Sequence, residues 1–546
     1  MSQTAKHPKA LPFLFFSEMW ERFGYYLMIG IFLLYLKNVE HGFAMTNSEA
    51  SDLYGTFIAL VFLTPFIGGL LADRYFGYRK SIIAGGLMMG AGYCMMAIHS
   101  LPMLYLSMSL VIFGNGFFKP NISTLLGNLY STPEFEKRKD EGYNIFYMGI
   151  NIGAFICNFF SAAIIIIWGW KYAFVAAGIG MFLGVIIFMT GTKHYSSGDI
   201  RKPMSKEDMP FSKIVLTILL PSIIAGILGW MIPGNIFQSD SNDAFIFACI
   251  PVIYFYTSLY LKAEASEKRP IAALLAIFAA VVMFWAVFKQ NGTALTIWAE
   301  SFTNRQVTGT TEKLLQKVNL AEVKAYKKDS VVLYDNLFRI QKSADGKIIK
   351  EYNYPTYFKN ANPANLPADN TNASLWSTPL SQSINPGWVI LLTPLVVAFF
   401  AFLRGRKKEP STPTKIAFGL LISALSVLVM VAAVYASNNG AEKASGLWLV
   451  GTYGVVTIGE LLLSPMGLSL VSKLSPVRLT SLMMGGWFLA TSIGNKLSGV
   501  LATLWDGYEH KANFFWVNFV LLLLATFLIF AMLKWLNKIM KEKGVN

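Results

Sequence analysis

The run EMWERFGYY (residues 18–26) lies within a long apolar segment near the start of the chain, yet it carries three charged side chains. Glu18, Glu21 and Arg22 follow the i, i+3, i+4 spacing of one helical face, and Tyr25 continues that face. An ionisable group inside a bilayer costs several kcal/mol unless it is paired or faces water. The run therefore predicts a membrane helix whose charged face lines a polar cavity.

The composition of the whole chain is that of a membrane protein. Of 546 residues, 54% are hydrophobic and 14% are charged, and the mean hydropathy is +0.48, whereas soluble chains are about a quarter charged. A net charge of +15 would suggest nucleic acid in a soluble protein. Here the lysines and arginines concentrate in short loops and tails, as charge-biased membrane insertion predicts. We expect the lipid bilayer as a partner, and no nucleic acid.

No group of residues predicts a metal site, a cofactor or an enzyme. The three cysteines lie within apolar stretches, and the five histidines lie near helix ends, in loops or in the N-terminal tail. Neither type shows the spacing of a metal motif. We also find no nucleophile with a matching base, so we expect no enzyme activity and no cofactor.

Apolar segments about one bilayer long recur along the chain in a pattern of six, two and six. They lie at about residues 12–37, 50–73, 80–99, 102–127, 143–166, 171–192, 211–233, 244–262, 271–301, 386–404, 413–436, 446–472, 479–505 and 512–537. This pattern predicts an all-α polytopic protein with 12 transmembrane helices in two six-helix bundles, and two extra helices between the bundles. The predicted domains are an N-terminal bundle (1–192), a linker with the extra helices (193–270) and a C-terminal bundle (271–546), which contains a polar extracytoplasmic insert (302–380).

The distribution of basic residues predicts the orientation. If the first loop is outside, the Lys/Arg clusters after the second, fourth and sixth segments fall inside, and so do both termini. We expect a multi-pass protein of the cell inner (plasma) membrane with cytoplasmic termini.

The insert at 302–380 then lies outside the cell. Residues 331–340 and 347–352 could form a hairpin through the Asp-Gly turn at Asp345 and Gly346, since that dipeptide favours tight turns. A disordered loop is the alternative.

Other predicted spans also carry charged side chains. Lys119 lies in the fourth segment, Lys289 in the ninth and Glu460 in the twelfth. Glu21 is the candidate partner of Lys119, because opposite charges stabilise each other strongly where water is scarce. We expect these groups to line the cavity. Weaker candidates, each of which could serve only helix packing, are Asn151, Asn385, Trp285 and Trp487.

Three motifs resemble known transporters. The run GGLLADRYFGYRK (68–80) resembles the loop motif of the major facilitator superfamily. Within that superfamily, the ExxER pattern of residues 18–22 and FYMGINIGAF (146–155) resemble the proton-coupled oligopeptide transporter family. The resemblance covers nearly the whole chain except the insert, and the extra pair of segments resembles the two added helices of bacterial members.

The resemblance implies a major facilitator fold and the import of di- and tripeptides coupled to protons. Arg22 and Lys119 would attract the peptide carboxylate, and Glu460 would receive its amino terminus. A cationic group and an anionic group together suit a zwitterionic peptide, and exclusion of bulk water strengthens both contacts. The expected proton-coupling residues are Glu18, Glu21, Arg22, Lys119 and Lys289. The expected substrate-binding residues are Arg22, Tyr25, Lys119, Asn151, Trp285, Lys289, Asn385, Glu460 and Trp487.

The chain departs from the family pattern at three positions. Ile29 stands where many members have an arginine, and Lys289 stands where many have an acidic residue. The resemblance implies that those two positions usually form an outer-gate ion pair. Phe62 replaces a tyrosine, which removes a hydroxyl that could contact the peptide.

Two hypotheses account for the cation at Lys289. The desolvated amine could itself release and bind the coupled proton. Alternatively, Lys289 could pair permanently with Glu460 or Glu18, which would leave Glu21 as the coupling site. An unchanged pH dependence of uptake in Lys289→Gln would exclude the first hypothesis.

Two other functions remain open at this stage. The same fold could carry another small solute, which competition with a labelled dipeptide would test. The protein could instead be a peptide sensor that uses the external insert, and retained uptake after deletion of residues 305–375 would count against this.

Overall fold

The computed structural model describes residues 7–132, 134–195, 197–200, 210–237, 239–476 and 479–542, and these are mostly helical. The first nine helices are α1 (Leu11–Lys37), α2 (Asn47–Leu71), α3 (Tyr78–Met95), α4 (Leu101–Leu129), α5 (Lys139–Trp168), α6 (Trp170–Thr190), α7 (Phe211–Ile214), α8 (Leu220–Trp230) and α9 (Asp240–Leu261). The others are α10 (Ala265–Phe288), α11 (Ala294–Ser301), α12 (Gly309–Lys317), α13 (Ile384–Gly405), α14 (Thr412–Ala436), α15 (Leu447–Leu474), α16 (Thr480–Thr503) and α17 (Lys511–Glu542).

Among the described residues, 11 helical segments are long and apolar enough to cross a membrane. Helices α1, α3 and α16 are not among them by composition, although they pack within the same groups as the others. The prediction of a mostly helical polytopic membrane protein is therefore confirmed, whereas the arrangement of 12 plus two spans stays a prediction.

The helices α1 to α6 form an N-terminal group that depends on small residues. α1 packs on α5 and α6, and α4 packs on α2 and α3. A Cβ atom at Gly68 of α2 would collide with the carbonyl oxygen of Gly116 on α4, and one at Gly85 of α3 would collide with that of Gly114. Small residues let helix backbones approach closely in a membrane, where little hydrophobic force drives association.

The turn between α2 and α3 contains the basic loop motif. α2 ends in a π-helical turn at Ala72–Phe76, and Gly77 has a φ of 78°, a conformation that glycine adopts without strain. The Asp199 carboxylate, which follows α6, accepts a hydrogen bond of 3.0 Å from the Tyr78 backbone N–H at the start of α3. The motif thus ties the α2–α3 turn to the chain segment after α6.

A C-terminal group contains α10, α11 and α13 to α17. α14 packs on α15 and α17, α10 packs on α16 and α17, and α13 packs on α15. The ninth predicted span is not one uninterrupted α-helix, because a 3₁₀ turn at Lys289–Gly292 separates α10 from α11. This break lies at the charged residue itself.

The extra helices form a pair beside the two groups. α7 continues through a π-helical segment, Val215–Leu219, into α8, which packs along α9. α9 also contacts α2, α10 and α16. Of the polar linker predicted at 193–210, residues 201–209 lie outside the described part of the chain.

The insert is a folded β-element rather than an irregular loop. Its strands are β1 (Thr303–Asn304), β2 (Gln306–Val307), β3 (Ala321–Tyr326), β4 (Asp329–Val332), β5 (Lys350–Asn353) and β6 (Thr371–Trp376), and β7 (Ala444–Ser445) lies between α14 and α15. β6 is the central strand of an antiparallel sheet with β2 and β3, and β4 pairs with β5. β1 pairs with β7 and so ties the insert to the C-terminal group.

The predicted hairpin is partly confirmed. Gly346 has a φ of 79°, and the Ser343 N–H donates to the Lys347 carbonyl across the predicted turn, at 2.8 Å. The prediction of one strand over 331–340 is wrong, because the chain turns back after Tyr334, which pairs with Ile340.

Polar and aromatic contacts hold the insert on the ends of the helices. Asn360 donates to the Ser301 carbonyl at 3.1 Å, and Phe302 packs edge-on against Phe338 with ring centroids 5.1 Å apart. The Lys443 ammonium donates to the Ser301 carbonyl at 2.8 Å and lies 4.2 Å from the Tyr357 ring centroid. Burial lowers the pKa of Lys443 well below its usual value, since desolvation disfavours the charged form.

We predict that Gly68→Ala destabilises the protein, whereas the neighbouring Gly69→Ala does not. The added methyl at position 68 meets the Gly116 carbonyl, but at position 69 it meets only the Pro120 side chain, at an ordinary 3.5 Å. Overpacking of this kind costs about 1–3 kcal/mol. Thermal unfolding in detergent should show a lower Tm for Gly68→Ala only, and equal Tm values would contradict the close approach of α2 and α4.

Candidate functional site

The three charged residues of α1 form one buried cluster. Arg22 donates from Nη2 to Glu21 Oε1 at 2.6 Å and from Nε to Glu21 Oε2, and its Nε also lies 3.4 Å from Glu18 Oε1. All three side chains are buried, and the Arg22 guanidinium lies 5.2 Å from the Tyr25 ring centroid. Paired carboxylates thus stabilise a cation that would be costly alone in the membrane.

The second motif, FYMGINIGAF, places α5 directly against this cluster. A Cβ atom at Gly153 would collide with the Met19 carbonyl oxygen and would lie 3.2 Å from the Arg22 Cβ. Only glycine therefore permits this approach of the two helices. Asn151, two residues earlier on α5, is half-buried, and we find no hydrogen bond to it among the described residues.

Two lysines meet at one aromatic ring. The Nζ atoms of Lys119 on α4 and Lys289 after α10 lie 4.4 Å and 5.2 Å from the centroid of Phe62 on α2. The expected ion pair between Glu21 and Lys119 is not formed within 4.0 Å, because Arg22 occupies both oxygens of Glu21. Lys119 and Glu21 remain within electrostatic range of each other.

The acidic candidate residue of the C-terminal group is Glu460, which lies on α15. Asn385 of α13 donates from Nδ2 to Glu460 Oε2 at 3.2 Å and to Thr457 Oγ1 at 2.9 Å. Lys289 is within electrostatic range of Glu460, but among the described residues it has no carboxylate within 4.0 Å. The direct ion pair that the hypothesis of a permanent pairing requires, between Lys289 and Glu460 or Glu18, is therefore not formed.

The two tryptophans have different surroundings. Trp285 is half-buried beside Lys289, whose Nζ lies 5.4 Å from its ring, and its indole Nε1 is buried without a hydrogen-bond partner. Trp487 is buried and packs against Gly467, where a Cβ atom would collide with its ring. Trp285 thus lies beside one of the candidate charged residues, while the described contacts of Trp487 are those of helix packing.

The sequence profile of the POT family matches residues 79–320 and 377–517. The chain belongs to the POT family. It is accordingly a polytopic membrane transporter and not an enzyme.

Relatives of this POT-family chain match it over nearly its whole length. The uncharacterized transporter YclF of Bacillus subtilis is 29% identical, over 96% of this chain and 93% of the relative. A di-/tripeptide transporter of Lactococcus lactis subsp. cremoris is 28% identical, over 98% and 97%. Among solved structures, a mutant of a peptide transporter POT in complex with alafosfalin has a TM-score of 0.76 and 28% identity, with 98% of this chain and 96% of that chain covered.

Sequence reasoning missed a polar network that joins the two groups of helices in this POT-family chain. Lys496 of α16 is buried, and its Nζ lies 2.5 Å from Asp52 Oδ1 on α2 and 2.7 Å from the hydroxyls of Thr56 and Ser241. Ser241 of α9 also donates to Asp52 at 2.8 Å. The signal was present, because Lys496 is a charge within a predicted span, like Lys119.

Two further contacts close the same side of the molecule. Lys37 at the end of α1 forms an ion pair of 2.6 Å with Glu300 of α11, and Asn47 donates to Asp506 at 2.8 Å. Lys37 is on the helix that carries Ile29, and Glu300 is on α11, which follows the 3₁₀ turn that begins at Lys289 and leads to the insert. In the described part of the chain, the ion pairs between the two groups lie on the side of the insert, so the structure is closed on that side.

We predict that Asp52→Asn lowers the stability strongly, because it leaves the buried Lys496 ammonium without a carboxylate. Removal of one partner of a buried pair costs about 3–5 kcal/mol. The control is Arg404→Gln, which removes the 72% exposed partner of Glu409 and should cost less than about 1 kcal/mol. Thermal unfolding in detergent measures both, and equal changes in Tm would contradict a stabilising role for the network.

Proposed function

We propose that the chain imports di- and tripeptides together with protons by alternating access. The observation that carries this proposal is the buried Glu18–Glu21–Arg22 cluster, which lies within electrostatic range of Lys119, while Lys289 lies within electrostatic range of both Arg22 and Glu460. Tyr26 links the two sides, since it is within electrostatic range of Arg22 and Glu460. Transporters of this type bind substrate near the midplane between their repeats.

The anionic and cationic groups of the proposed site suit a zwitterionic peptide. Glu460, oriented by Asn385, offers a carboxylate to the amino terminus, and Lys119 offers an ammonium to the carboxyl terminus. Lys119 and Glu460 are only partly buried, as expected for groups that face a cavity. Contacts between opposite charges are strengthened where bulk water is excluded. The Lactococcus relative and the alafosfalin complex support peptides as the substrate class.

The cluster on α1 provides the step that couples proton binding to peptide binding. Arg22 is engaged by Glu21 through two hydrogen bonds and by Glu18 through a third contact. Protonation of Glu21 removes its charge and weakens its hold on the guanidinium, because charge-assisted hydrogen bonds are about twice as strong as neutral ones. Arg22 then becomes available to the peptide carboxylate, so proton and peptide binding favour each other.

The site assignments and boundaries remain part of the proposal. The proton-coupling set is Glu18, Glu21, Arg22, Lys119 and Lys289, and the substrate-binding set is Arg22, Tyr25, Lys119, Asn151, Trp285, Lys289, Asn385, Glu460 and Trp487. The proposed domains are 1–192, 193–270 and 271–546, with the insert at 302–380 outside the cell. Both termini are cytoplasmic in this proposal, since the basic loops favour that side, and the side closed by Lys37 and Glu300 is then the outer one.

The test is dipeptide uptake into proteoliposomes under an imposed pH gradient. We predict that the wild-type protein accumulates the peptide. The gradient-driven uptake rate of Glu21→Gln should be at least about tenfold lower than that of the wild-type protein, since glutamine cannot carry a proton. Exchange of internal for external peptide needs no net proton movement, so it should persist in Glu21→Gln.

The matched control is Glu264→Gln, which changes an exposed glutamate before α10 and should leave the rate unchanged. Absence of gradient-driven uptake by the wild-type protein would overturn the proposal. Uptake by Glu21→Gln at the wild-type rate would exclude Glu21 as the coupling group.

A further inference from the structure

The charges in the proposed site are unevenly paired. Arg22 is engaged by both acidic residues of its own helix. Lys119 and Lys289 are different, because among the described residues neither has a carboxylate within 4.0 Å. The described site therefore contains two cations without a direct anionic partner.

Both cations lie against apolar and donor groups. Their Nζ atoms lie 4.4 Å and 5.2 Å from the centroid of the same Phe62 ring. An aromatic ring attracts a cation, but it cannot accept a hydrogen bond as a carboxylate does. The nearby Trp285 adds a buried Nε1–H without a partner. Two ammonium groups thus lie over one ring, and the Trp285 ring lies beside one of them, 5.4 Å from the Lys289 Nζ. Phe62 lacks the hydroxyl oxygen that a tyrosine would present to these ammonium groups.

The position includes Lys119, which is the cationic group of the proposed site, and extends toward Glu460 through Lys289. Lys119 is within electrostatic range of Arg22 and Glu21, and Lys289 is within electrostatic range of Arg22 and Glu460. A group on a peptide bound between these cationic and anionic groups can therefore reach it. Glu460 is the internal anion that partly compensates Lys289, and a bound amino terminus would engage that carboxylate instead.

We propose that Lys119, Lys289 and the Trp285 indole form an anion-binding position, which gives the carrier a preference for peptides with an acidic side chain. This inference rests on the proposed peptide transport. A neutral zwitterionic peptide brings one carboxylate, which compensates one of the two lysines. An aspartate or glutamate side chain brings a second carboxylate for the other lysine, and charge-assisted hydrogen bonds to ammonium and indole donors hold it.

The test compares peptides of nearly equal shape and different charge. Ala-Glu, Ala-Gln and Ala-Lys compete with labelled Ala-Ala for uptake into proteoliposomes at one pH, at which the glutamate side chain is ionised. For the wild-type protein we expect half-inhibition by Ala-Glu at a concentration about tenfold lower than by Ala-Gln, which corresponds to about 1.4 kcal/mol. Lys289→Gln should bring this ratio close to one, and Lys289→Glu should favour Ala-Lys.

Two other variants complete the design. Lys171→Gln removes an exposed lysine that also lies over an aromatic ring, 4.9 Å from Tyr172, and it should keep the wild-type ratio. Trp285→Phe retains the aromatic ring and removes only the N–H, so it should lower the ratio about two- to threefold. This variant also tests the proposal if Lys289→Gln fails to fold.

The outcomes separate this inference from the proposed function. Gradient-driven uptake of Ala-Ala with equal inhibition by Ala-Glu and Ala-Gln overturns the anion position and leaves peptide transport intact. A preference that persists unchanged in both Lys289→Gln and Trp285→Phe also overturns it. Absence of any peptide uptake by the wild-type protein overturns the proposed function itself.

Discussion

The desolvation of charge inside the membrane is the constraint on which this structure depends. Arg22 is buried, and its guanidinium is stabilised by two carboxylates of its own helix. Lys496 is equally buried and meets Asp52 together with two hydroxyls. A buried ion pair contributes little net stability, but the loss of one partner is severe. The Lys496–Asp52 pair therefore restricts which arrangements of the helices are accessible, because a pair that joins the two groups must open before the groups can separate on that side.

Close helix packing gives the charged cluster its geometry. Gly153 allows α5 to approach α1 at Met19, beside Arg22. The motif around Asn151 and the motif around Glu21 are consequently parts of one interface, although more than 100 residues separate them in the sequence. The same helix α1 ends at Lys37, which pairs with Glu300 of α11. α1 thus connects the proposed coupling cluster to the contacts that close the side of the insert.

Much of the fold and the residues of the candidate site could be predicted from the sequence, because hydropathy and intramembrane charge reflect the free energy of placing each side chain in a bilayer. Which charged side chains pair with one another could not be predicted. Lys119 was expected to pair with Glu21, but Arg22 competes for the same oxygens from an adjacent position. The 3₁₀ break at Lys289–Gly292 contains the turn dipeptide Asn291-Gly292, but the high hydropathy around it favours one continuous span. The turn at Phe338, with a φ of 60°, places a bulky residue in a conformation that its type disfavours. Lys496 does have a sequence signal, because it is a charge within a predicted span.

The charge at Lys289 and the Lys37–Glu300 ion pair involve the same neighbouring segments, α1 and the chain around α11. An acidic residue at Lys289 and an arginine at Ile29 would form a pair within the cavity, according to the resemblance to the family. Here α1 and α11 are joined instead by Lys37 and Glu300, near the insert. This contact uses neither position 29 nor position 289, and the charge at Lys289 is positive. A positive charge at a site of low dielectric attracts anions strongly, so the closing contact leaves the Lys289 charge uncompensated by a direct carboxylate among the described residues.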